Sequence, residues 1–218
     1  MTERPILMNG AMVRATLSGA KKQTRRIVKP QPPVGHAWAG WCTSSTHRAD
    51  EGKATWAAGE GAMLRDAHRV ACPYGQPGDR LWVRETWRTT SDLDGKPPRD
   101  FAGWPVRYEA DGAVVPHGSH FGDTSGKTRT SIYMPRWASR ILLEIVSVRV
   151  ERLNDCSEAD ARAEGFHGPM TGSDWEGINQ IGRLPSECYA ELWDLINGTG
   201  AWAENPFVWC IEFRRVDP

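Results

Sequence analysis

Hydrophobic and polar positions alternate along several short stretches of the chain, which predicts β-strands. The clearest alternation spans residues 141 to 152, where Leu143, Ile145, Ser147 and Arg149 are expected on one face. Shorter alternating stretches predict further strands at residues 23–28, 80–87, 105–112 and 205–216. Because these runs are short and separated by turn residues, they favour a small sheet built from many brief strands.

Apolar positions at helical spacing predict two or three helices. These helices are expected at residues 9–19, 157–165 and 186–198. Asn9 is a suitable N-cap for the first helix, and Gly19 is a suitable end. Ser157 and Asp160 have the spacing of a capping box at the start of the second helix. Strands and helices together predict an α+β protein, with a small curved sheet or barrel and helices packed on it.

The remaining segments show no clear period and are rich in Gly, Pro and polar residues. We interpret them as long loop insertions or mobile flaps in a single domain that covers residues 1–218. The insertions are expected at about 34–70, 91–104, 112–130 and 168–183. A chain of 218 residues is long enough for one domain to bury a core without disulfide support.

Positive charge is concentrated near the start of a chain that has 27 basic and 27 acidic residues. The balanced total argues against a protein that coats duplex nucleic acid through bulk charge, although a local basic cleft is compatible with it. In the segment LSGAKKQTRRIVKPQPP, cations surround Thr24, namely Lys21, Lys22, Arg25 and Arg26. Two explanations remain open. In the first, the cations follow the C-terminus of a helix, where the helix dipole favours them by ~0.3–1 kcal/mol. In the second, they form the wall of a site for an anion.

The cysteines and the apolar runs limit the cellular setting and the cofactors that are expected. The five cysteines are dispersed, and none has the paired short spacing of zinc ligands, so we expect reduced thiols, no metal and no cofactor. No stretch approaches the ~20 apolar residues of a membrane-spanning helix, and the start of the chain has no long apolar run. A cytoplasmic protein is therefore expected. Most of the 11 tryptophans are expected in the core.

Four segments occur in an order that resembles a known family. These are GAKKQTRR, PGDRLWVRE, SEADARAEGF and FVWCIEF. Their order and spacing resemble the ASCH-domain family, a branch of the PUA-like superfamily, and the chain as a whole resembles phage and prophage members. The resemblance covers residues 5–29, 72–88, 132–166 and 186–216. It implies a small PUA-like β-barrel with flanking helices that close a cleft, in the cytoplasm of a bacterial host.

The resemblance also implies candidate catalytic residues. ASCH domains are thought to bind RNA or nucleotides, and a small bacterial member is an amidohydrolase that removes acetyl groups from N4-acetylcytidine. Its motif Gly-x-Lys-x-x-Thr-x-Arg is matched by Gly19, Lys21, Thr24 and Arg26. Its helical glutamate aligns with Glu164. The implied catalytic set is therefore Lys21, Thr24 and Glu164, without a metal or cofactor.

The chemistry of amide hydrolysis gives each of these residues a role. Thr24 is expected to supply its hydroxyl directly or to position a water molecule. Lys21 acts as a base only if burial or nearby cations lower its pKa from ~10.4. Glu164 is expected to carry a proton to the leaving amine or to bind the edge of the cytosine ring. Arg26 is expected to hold a phosphate or the oxyanion.

Four further residues are candidates for binding a substrate or a nucleic acid, namely Lys22, Arg25, Arg84 and Glu85. Glu85 shares the apolar face of its predicted strand and is therefore a candidate second carboxylate of the site. Ordinary structural roles compete with these assignments, since Thr24 suits a strand and Glu164 is a common helix charge.

Three functions remain open at this point. The first is deacylation of N4-acetylcytidine or a related modified pyrimidine nucleoside. The second is a module that binds RNA, single-stranded nucleic acid or a modified base without chemistry. The third is a metal-independent ribonuclease. Steep salt dependence of binding would favour a nucleic acid over a nucleoside, because each neutralised phosphate releases counterions.

Overall fold

Three sheets, three α-helices and six single-turn 3₁₀-helices make up the regular structure of the described residues in the computed structural model, which describes residues 1–59, 65–100, 102–120, 122–166 and 178–216. In chain order the elements are β1 (Glu3–Leu7), α1 (Gly10–Leu17), β2 (Gln23–Ile27), β3 (Ala37–Trp41), β4 (Ala54–Ala58), β5 (Arg65–Val70), β6 (Arg80–Arg84), β7 (Trp87–Arg88), β8 (Val106–Tyr108), β9 (Val114–Val115), β10 (Leu142–Arg152), α2 (Glu158–Ala163), α3 (Pro185–Asn197) and β11 (Phe207–Val216). The mixed α+β class predicted from the pattern is confirmed.

The central sheet has five strands in the order β1-β6-β10-β11-β2. The pair of β1 and β6 is parallel, and the other three pairs are antiparallel. Within the described residues β1 and β2 are the two edges and do not pair with each other, so the sheet is not closed into a barrel. The edges nevertheless approach each other, because Arg26 Nη2 in β2 donates a hydrogen bond of 2.8 Å to the Leu7 carbonyl in β1.

The long strand β10 departs from the regular alternation predicted for it. A bulge lies between Ile145 and Ser147 in its pairing with β11. An extra residue in one strand reverses the side-chain alternation that follows. Ile145 is buried in the core, and beyond the bulge Val148 packs against the same core. The prediction that Ile145 and Arg149 share a face is therefore wrong, and Arg149 joins a cluster of charges instead.

The helices follow their predicted caps. The Asn9 side chain accepts a hydrogen bond from the backbone of Met12 at the start of α1. At the start of α2, Ser157 and Asp160 form the reciprocal bonds of a capping box. Local side-chain chemistry therefore defines both starting points. In the described part of the chain no helix is long and apolar enough to cross a membrane.

The segment 34–70 differs from its prediction, because it contains regular structure. Strands β3, β4 and β5 form an antiparallel sheet. This sheet packs on the central one through aromatic contacts, in which the Trp56 ring lies 5.4 Å from Phe207 and 6.4 Å from Trp209. Tertiary packing of dispersed tryptophans therefore stabilises strands that show no clear period, and the expectation of irregular structure here is wrong.

The predicted strand at residues 80–87 is shorter than expected. Strand β6 ends at Arg84, and the chain enters a third sheet of order β7-β8-β9. Trp87 exchanges two backbone hydrogen bonds with Arg129, which turns the chain out of the central sheet. Short strands and single-turn helices therefore interrupt the expected insertions 91–104 and 112–130. The greater part of the expected insertion 168–183 lies outside the described residues.

Candidate functional site

A buried ion pair joins Lys21 to Glu164, two residues separated by 143 positions in the sequence. Lys21 Nζ donates to Glu164 Oε2 at 2.5 Å and to the Glu164 carbonyl at 3.1 Å. Each residue exposes only 2% of its surface. The backbone holds the two segments together, since the Lys22 amide donates to the Ala163 carbonyl at 2.8 Å. The structure therefore brings together two of the three predicted catalytic residues.

Burial sets the acid–base character of Lys21. The pKa of Lys21 is lowered mainly by desolvation, because a charged ammonium loses its hydration inside the protein. Glu164 opposes this shift, while the nearby guanidinium groups of Arg25 and Arg26 add to it. The predicted role of Lys21 as a base depends on burial or neighbouring cations to lower this pKa. Both act in the structure, and burial is the larger cause.

Arg25 is buried against three carboxylates. Its Nε donates to Glu151 at 2.9 Å, and its Nη groups lie 3.4 Å from Asp160 and 3.4 Å from Glu164. Burial favours the neutral form of Asp160, but bonds from Ser157 and the charge of Arg25 prevail and lower its pKa to about 2. The positive charge of Arg25 is therefore neutralised inside the protein. A cation that binds a polyanionic ligand would instead keep its charge free of carboxylate partners.

A cavity of about 410 Å³ opens beside Glu164. Tyr189 of α3 lines it and donates from its hydroxyl to Glu164 Oε1 at 3.4 Å. The apolar lining consists of Leu7, Met8, Met12, Ile27, Leu192, Trp193 and Ile196. The polar lining consists of Asn9, Arg25, Arg26, Thr86, Ser131, Glu164, Tyr189 and Asn197. Apolar and polar residues thus contribute to the lining in nearly equal number, and a concave site that combines apolar surface with convergent polar groups suits a small ligand.

Thr24 is the third predicted catalytic residue, and the structure places it apart from the ion pair. It lies in β2 next to Arg25, and regular alternation directs the two side chains to opposite faces of the strand. Thr24 is fully buried, and its hydroxyl has no hydrogen-bond partner among the described residues. It is not among the residues that line the cavity. Its role as a nucleophile stays a prediction.

The other cations of the first basic segment take two further positions. Arg26 lines the cavity and bonds to two backbone carbonyls, those of Leu7 and Arg25. Lys22 is exposed at the turn before β2 and is not among the residues that line the cavity. Arg26 therefore lies in the wall of the cavity, and no carboxylate in the described part of the chain forms an ion pair with it.

Glu85 belongs to a different cluster. Arg140 binds it through two hydrogen bonds of 2.9 Å and also binds Asp111 at 2.8 and 3.0 Å. Burial raises the pKa of the Glu85 carboxyl, which Arg140 opposes. Arg84 stacks on Trp82 at 4.6 Å. Neither Arg84 nor Glu85 lines the cavity beside Glu164, so the structure does not join them to the predicted catalytic set.

No group of three His, Cys, Asp or Glu side chains within the described ranges is arranged to hold a metal ion. All five cysteines are free thiols. Burial raises the pKa of Cys156 to about 12, which makes this thiol a poor nucleophile. No cysteine lines the cavity, so its ionisable side chains carry oxygen or nitrogen. Glu164 is the carboxylate in its wall.

Sequence reasoning missed several members of the site. Neither Tyr189, within the predicted helix at 186–198, nor Glu151 is among the candidates predicted from the sequence. Asp160 was recognised only as a capping residue. The apolar period of α3 carries no information about which of its residues meets Glu164. Only the packing of α3 against α2 places the Tyr189 hydroxyl there.

The comparisons with known proteins leave the family open. No family model matches the chain, and no curated protein matches it. Among solved structures, the chain is similar to the crystal structure of an Enterococcus faecalis V583 protein of the DUF984 family. The TM-score is 0.38 at 10% identity, over 100% of this chain and 82% of that one. Similarity at this level carries no argument about fold or function.

Proposed function

We propose that this protein is an amidohydrolase of the ASCH type that removes the acyl group from N4-acetylcytidine or a related modified pyrimidine nucleoside. The observation that carries the proposal is the buried pair of Lys21 and Glu164, with Glu164 in the wall of a ligand-sized cavity. These two residues are also the Lys and Glu of the family resemblance. A buried charge pair with a shifted pKa beside a cavity is typical of acid–base sites.

The proposal also includes the PUA-like barrel that the family resemblance implies. We assign the curved five-stranded sheet to a PUA-like barrel that is open between β1 and β2. The side-chain bond from Arg26 to the Leu7 carbonyl supports this assignment, because it spans the gap between the two edges. Leu7 and Arg26 also line the cavity, so the site occupies the opening of the barrel.

Glu164 is the proton carrier in the proposed reaction. A water molecule attacks the acyl carbon, and its oxygen forms the new bond while Glu164 takes one of its protons. The bond from the acyl carbon to N4 then breaks, and Glu164 returns the proton to the leaving N4. The products are the carboxylic acid and cytidine. Lys21 does not line the cavity, and it acts as a positioning residue that holds Glu164 Oε2 at 2.5 Å.

Arg25 Nη1, which carries two N–H groups, suits the charge that develops on the acyl oxygen, whereas the single hydroxyl proton of Tyr189 is already donated to Glu164 Oε1. The Tyr189 hydroxyl and Arg25 Nη1 both lie 3.4 Å from Glu164 Oε1, and both residues line the cavity. Donors already fixed in a water-poor site stabilise an oxyanion more than donors in water do. The buried hydroxyl of Thr24 has no assigned step, since it lies outside the lining of the cavity.

A second candidate is favoured by the apolar lining. Met8, Met12, Trp193 and Ile196 offer a surface on which a nucleobase can pack without any reaction. In that case the protein binds a modified nucleoside and does not change it. The two functions differ in one observable, which is the release of cytidine.

The test incubates the pure protein with N4-acetylcytidine and follows cytidine release by mass spectrometry. We expect turnover by the wild type and a loss of ~10²-fold or more in kcat for Glu164→Gln, because general acid–base catalysis contributes ~10²–10⁴-fold. Lys21→Ala is expected to lose activity as well. Thr24→Val removes the hydroxyl and is expected to retain activity, because Thr24 lies outside the lining of the cavity. A large loss of activity in this variant would return Thr24 to the site.

Glu204→Gln is the matched control, because it makes the same change at an exposed position outside the cavity. Circular dichroism checks that each variant is folded. Full activity of folded Glu164→Gln would refute the proposed role of Glu164. Binding of N4-acetylcytidine without any cytidine release by the wild type would favour the second candidate.

A further inference from the structure

The contacts of Glu151 fix the orientation of the buried guanidinium of Arg25. Arg25 donates from Nε to Glu151 Oε1 at 2.9 Å, and its Nη2 group bonds to the same oxygen. Nε and Nη2 form one edge of the planar guanidinium, so Glu151 occupies that whole edge. Nη1 lies beyond this edge and reaches Glu164 Oε1 at 3.4 Å. The bonds to Glu151 therefore set the direction in which Nη1 points.

Glu151 is itself held through its second oxygen. Arg149 donates from Nε to Glu151 Oε2 at 3.0 Å. The two residues lie two positions apart in β10, so regular alternation puts their side chains on one face of the strand. The bulge after Ile145 turns this face toward the cluster of charges. Both oxygens of Glu151 are thus bound by arginines, which restricts the carboxylate to one orientation.

Arg149 is anchored by three further partners. Its Nη1 donates to Glu212 at 2.6 Å, and its Nη2 donates to Gln23 at 3.0 Å and to Asp160 at 2.5 Å. These partners belong to β11, β2 and the first turn of α2. Three elements of the fold therefore fix Arg149, and Arg149 in turn fixes Glu151.

Glu151 lies outside the space in which the substrate is expected. Arg25 and Glu164 line the cavity of about 410 Å³, whereas neither Glu151 nor Arg149 is among its lining residues. Glu151 can therefore affect the reaction only through a residue that it contacts. Partners of this kind, one contact removed from the reacting atoms, orient the groups that do react.

We infer that Glu151 is a positioning residue of the proposed reaction. It holds Arg25 so that one N–H of Nη1 faces Glu164 and the other faces the acyl oxygen. Negative charge develops on that oxygen when the acyl carbon is attacked, and a donor already fixed there stabilises it without reorganisation. The inference rests on the proposed function for this kinetic consequence. The orientation of Arg25 depends only on its own contacts.

Glu151→Gln tests the positioning by steady-state kinetics on N4-acetylcytidine. A glutamine amide has one acceptor oxygen, so it cannot accept bonds from two arginines. We expect kcat to fall about 10- to 100-fold, because a displacement of ~1 Å at a reacting group can cost ~10²-fold. KM should change by less than about twofold, because the bond from Arg25 to the acyl oxygen strengthens only in the transition state. Unchanged kcat in the folded variant would overturn the inference.

Glu144→Gln is the matched control, because it makes the same change in the same strand. Glu144 pairs with Arg214 at 2.9 Å and lies outside the cavity, so kcat and KM should stay unchanged. Equal losses in the two variants would refute a specific role of Glu151. If Glu151→Gln does not fold, Glu151→Asp replaces it, because aspartate keeps the charge and is one methylene shorter. It must show the same loss of kcat with little change in KM.

A double-mutant cycle tests whether Glu151 acts through Arg25. Arg25→Lys keeps the charge but loses the planar fork, and it is expected to lower kcat by itself. In this background Glu151→Gln should cause no further loss of kcat, because the group that Glu151 positions is absent. Losses that multiply independently would overturn the action through Arg25.

The orientation of Arg25 also has a readout that needs no turnover. In protein labelled with ¹⁵N-arginine, rotation about the Nε–Cζ bond exchanges Nη1 and Nη2, so separate NMR signals for these two nitrogens report a fixed guanidinium. The Arg25 signals are identified by their absence from Arg25→Lys. We expect them to be separate in the wild type and in Glu144→Gln, and to merge in Glu151→Gln. Signals that stay separate in Glu151→Gln would overturn the positioning.

Failure of this inference and failure of the proposed function are distinguishable. If the wild type releases cytidine but Glu151→Gln keeps its kcat and its separate signals, the positioning is refuted and the amidohydrolase stands. If the signals merge in Glu151→Gln but the wild type releases no cytidine, the orientation of Arg25 by Glu151 stands and the chemistry is refuted.

Discussion

The buried pair of Lys21 and Glu164 should behave as a unit in a double-mutant cycle. Coulomb attraction at 2.5 Å is about 7 kcal/mol with an effective dielectric constant of about 20. Desolvation of two ions costs several kcal/mol each, so the net contribution of the pair to folding is small. Removal of one partner, in contrast, leaves an uncompensated buried charge and is expected to cost about 3–5 kcal/mol.

The structure ranks the two single variants. In Lys21→Met, Glu164 keeps Arg25 and Tyr189 at 3.4 Å, so the expected cost is about 3 kcal/mol. In Glu164→Leu, Lys21 keeps the backbone carbonyl at 3.1 Å as its partner. The loss of unfolding free energy in Glu164→Leu has an upper limit, because Lys21 can release its proton and become neutral. Deprotonation of an ordinary lysine, with a pKa of ~10.4, costs about 4.6 kcal/mol at pH 7.

The assay is urea unfolding followed by far-ultraviolet circular dichroism, with the free energy of unfolding compared at equal m-values. The double variant should cost much less than the sum of the two single ones, which gives a coupling energy of about 3 kcal/mol or more. The deficit of Glu164→Leu should also shrink as pH rises toward the usual pKa of lysine, 10.5, because the unfolded state then loses its proton too. The burial of this pair would be refuted if each single variant lost less than about 1 kcal/mol of unfolding free energy and the double variant lost the sum of the two.

Three further predictions concern neighbouring groups. Ser157→Ala should lower the free energy of unfolding by about 1 kcal/mol in urea, because the capping box at the start of α2 is lost. Asp160 has a pKa lowered from 3.8 to about 2, so its contribution to stability is present above pH 3.8 and is lost as pH falls toward 2. Asp160→Asn should therefore flatten the dependence of stability on pH between 3.8 and 2. An unchanged dependence would contradict the assignment of this contribution to Asp160. Glu85→Ala should cost about 3 kcal/mol, because Arg140 loses a bidentate partner. Its kcat on N4-acetylcytidine should stay unchanged, and a large loss would return Glu85 to the site.

Local sequence determined the elements that depend on local chemistry. Helix α1 begins where Asn9 can cap it, and α2 begins at the capping box of Ser157 and Asp160. The alternating stretch at residues 205–216 likewise predicts β11, although the structure buries both of its faces between Phe207 and Ile211. In each case the deciding interactions lie within a few residues of one another, so the pattern contains the information.

Tertiary structure decided what depends on distant contacts. The bulge after Ile145 reverses the outer half of β10, and its pairing with β11 is needed to reveal it. The strands between residues 34 and 70 form because Trp56 packs on Trp209, a contact that no local period encodes. Sequence patterns predict elements, whereas the register between elements depends on packing.

The candidate site divides in the same way. The sequence itself determined the residue types, with Lys21 and Arg25 at a fixed spacing and Glu164 on a capped helix. Only the fold joined Lys21 to Glu164, neutralised Arg25 with Glu151 and Asp160, and left Thr24 outside the cavity. Charge in a sequence is a property of single residues. Whether that charge faces a ligand or an internal carboxylate depends on which segments meet in space, and packing of the whole chain decides that.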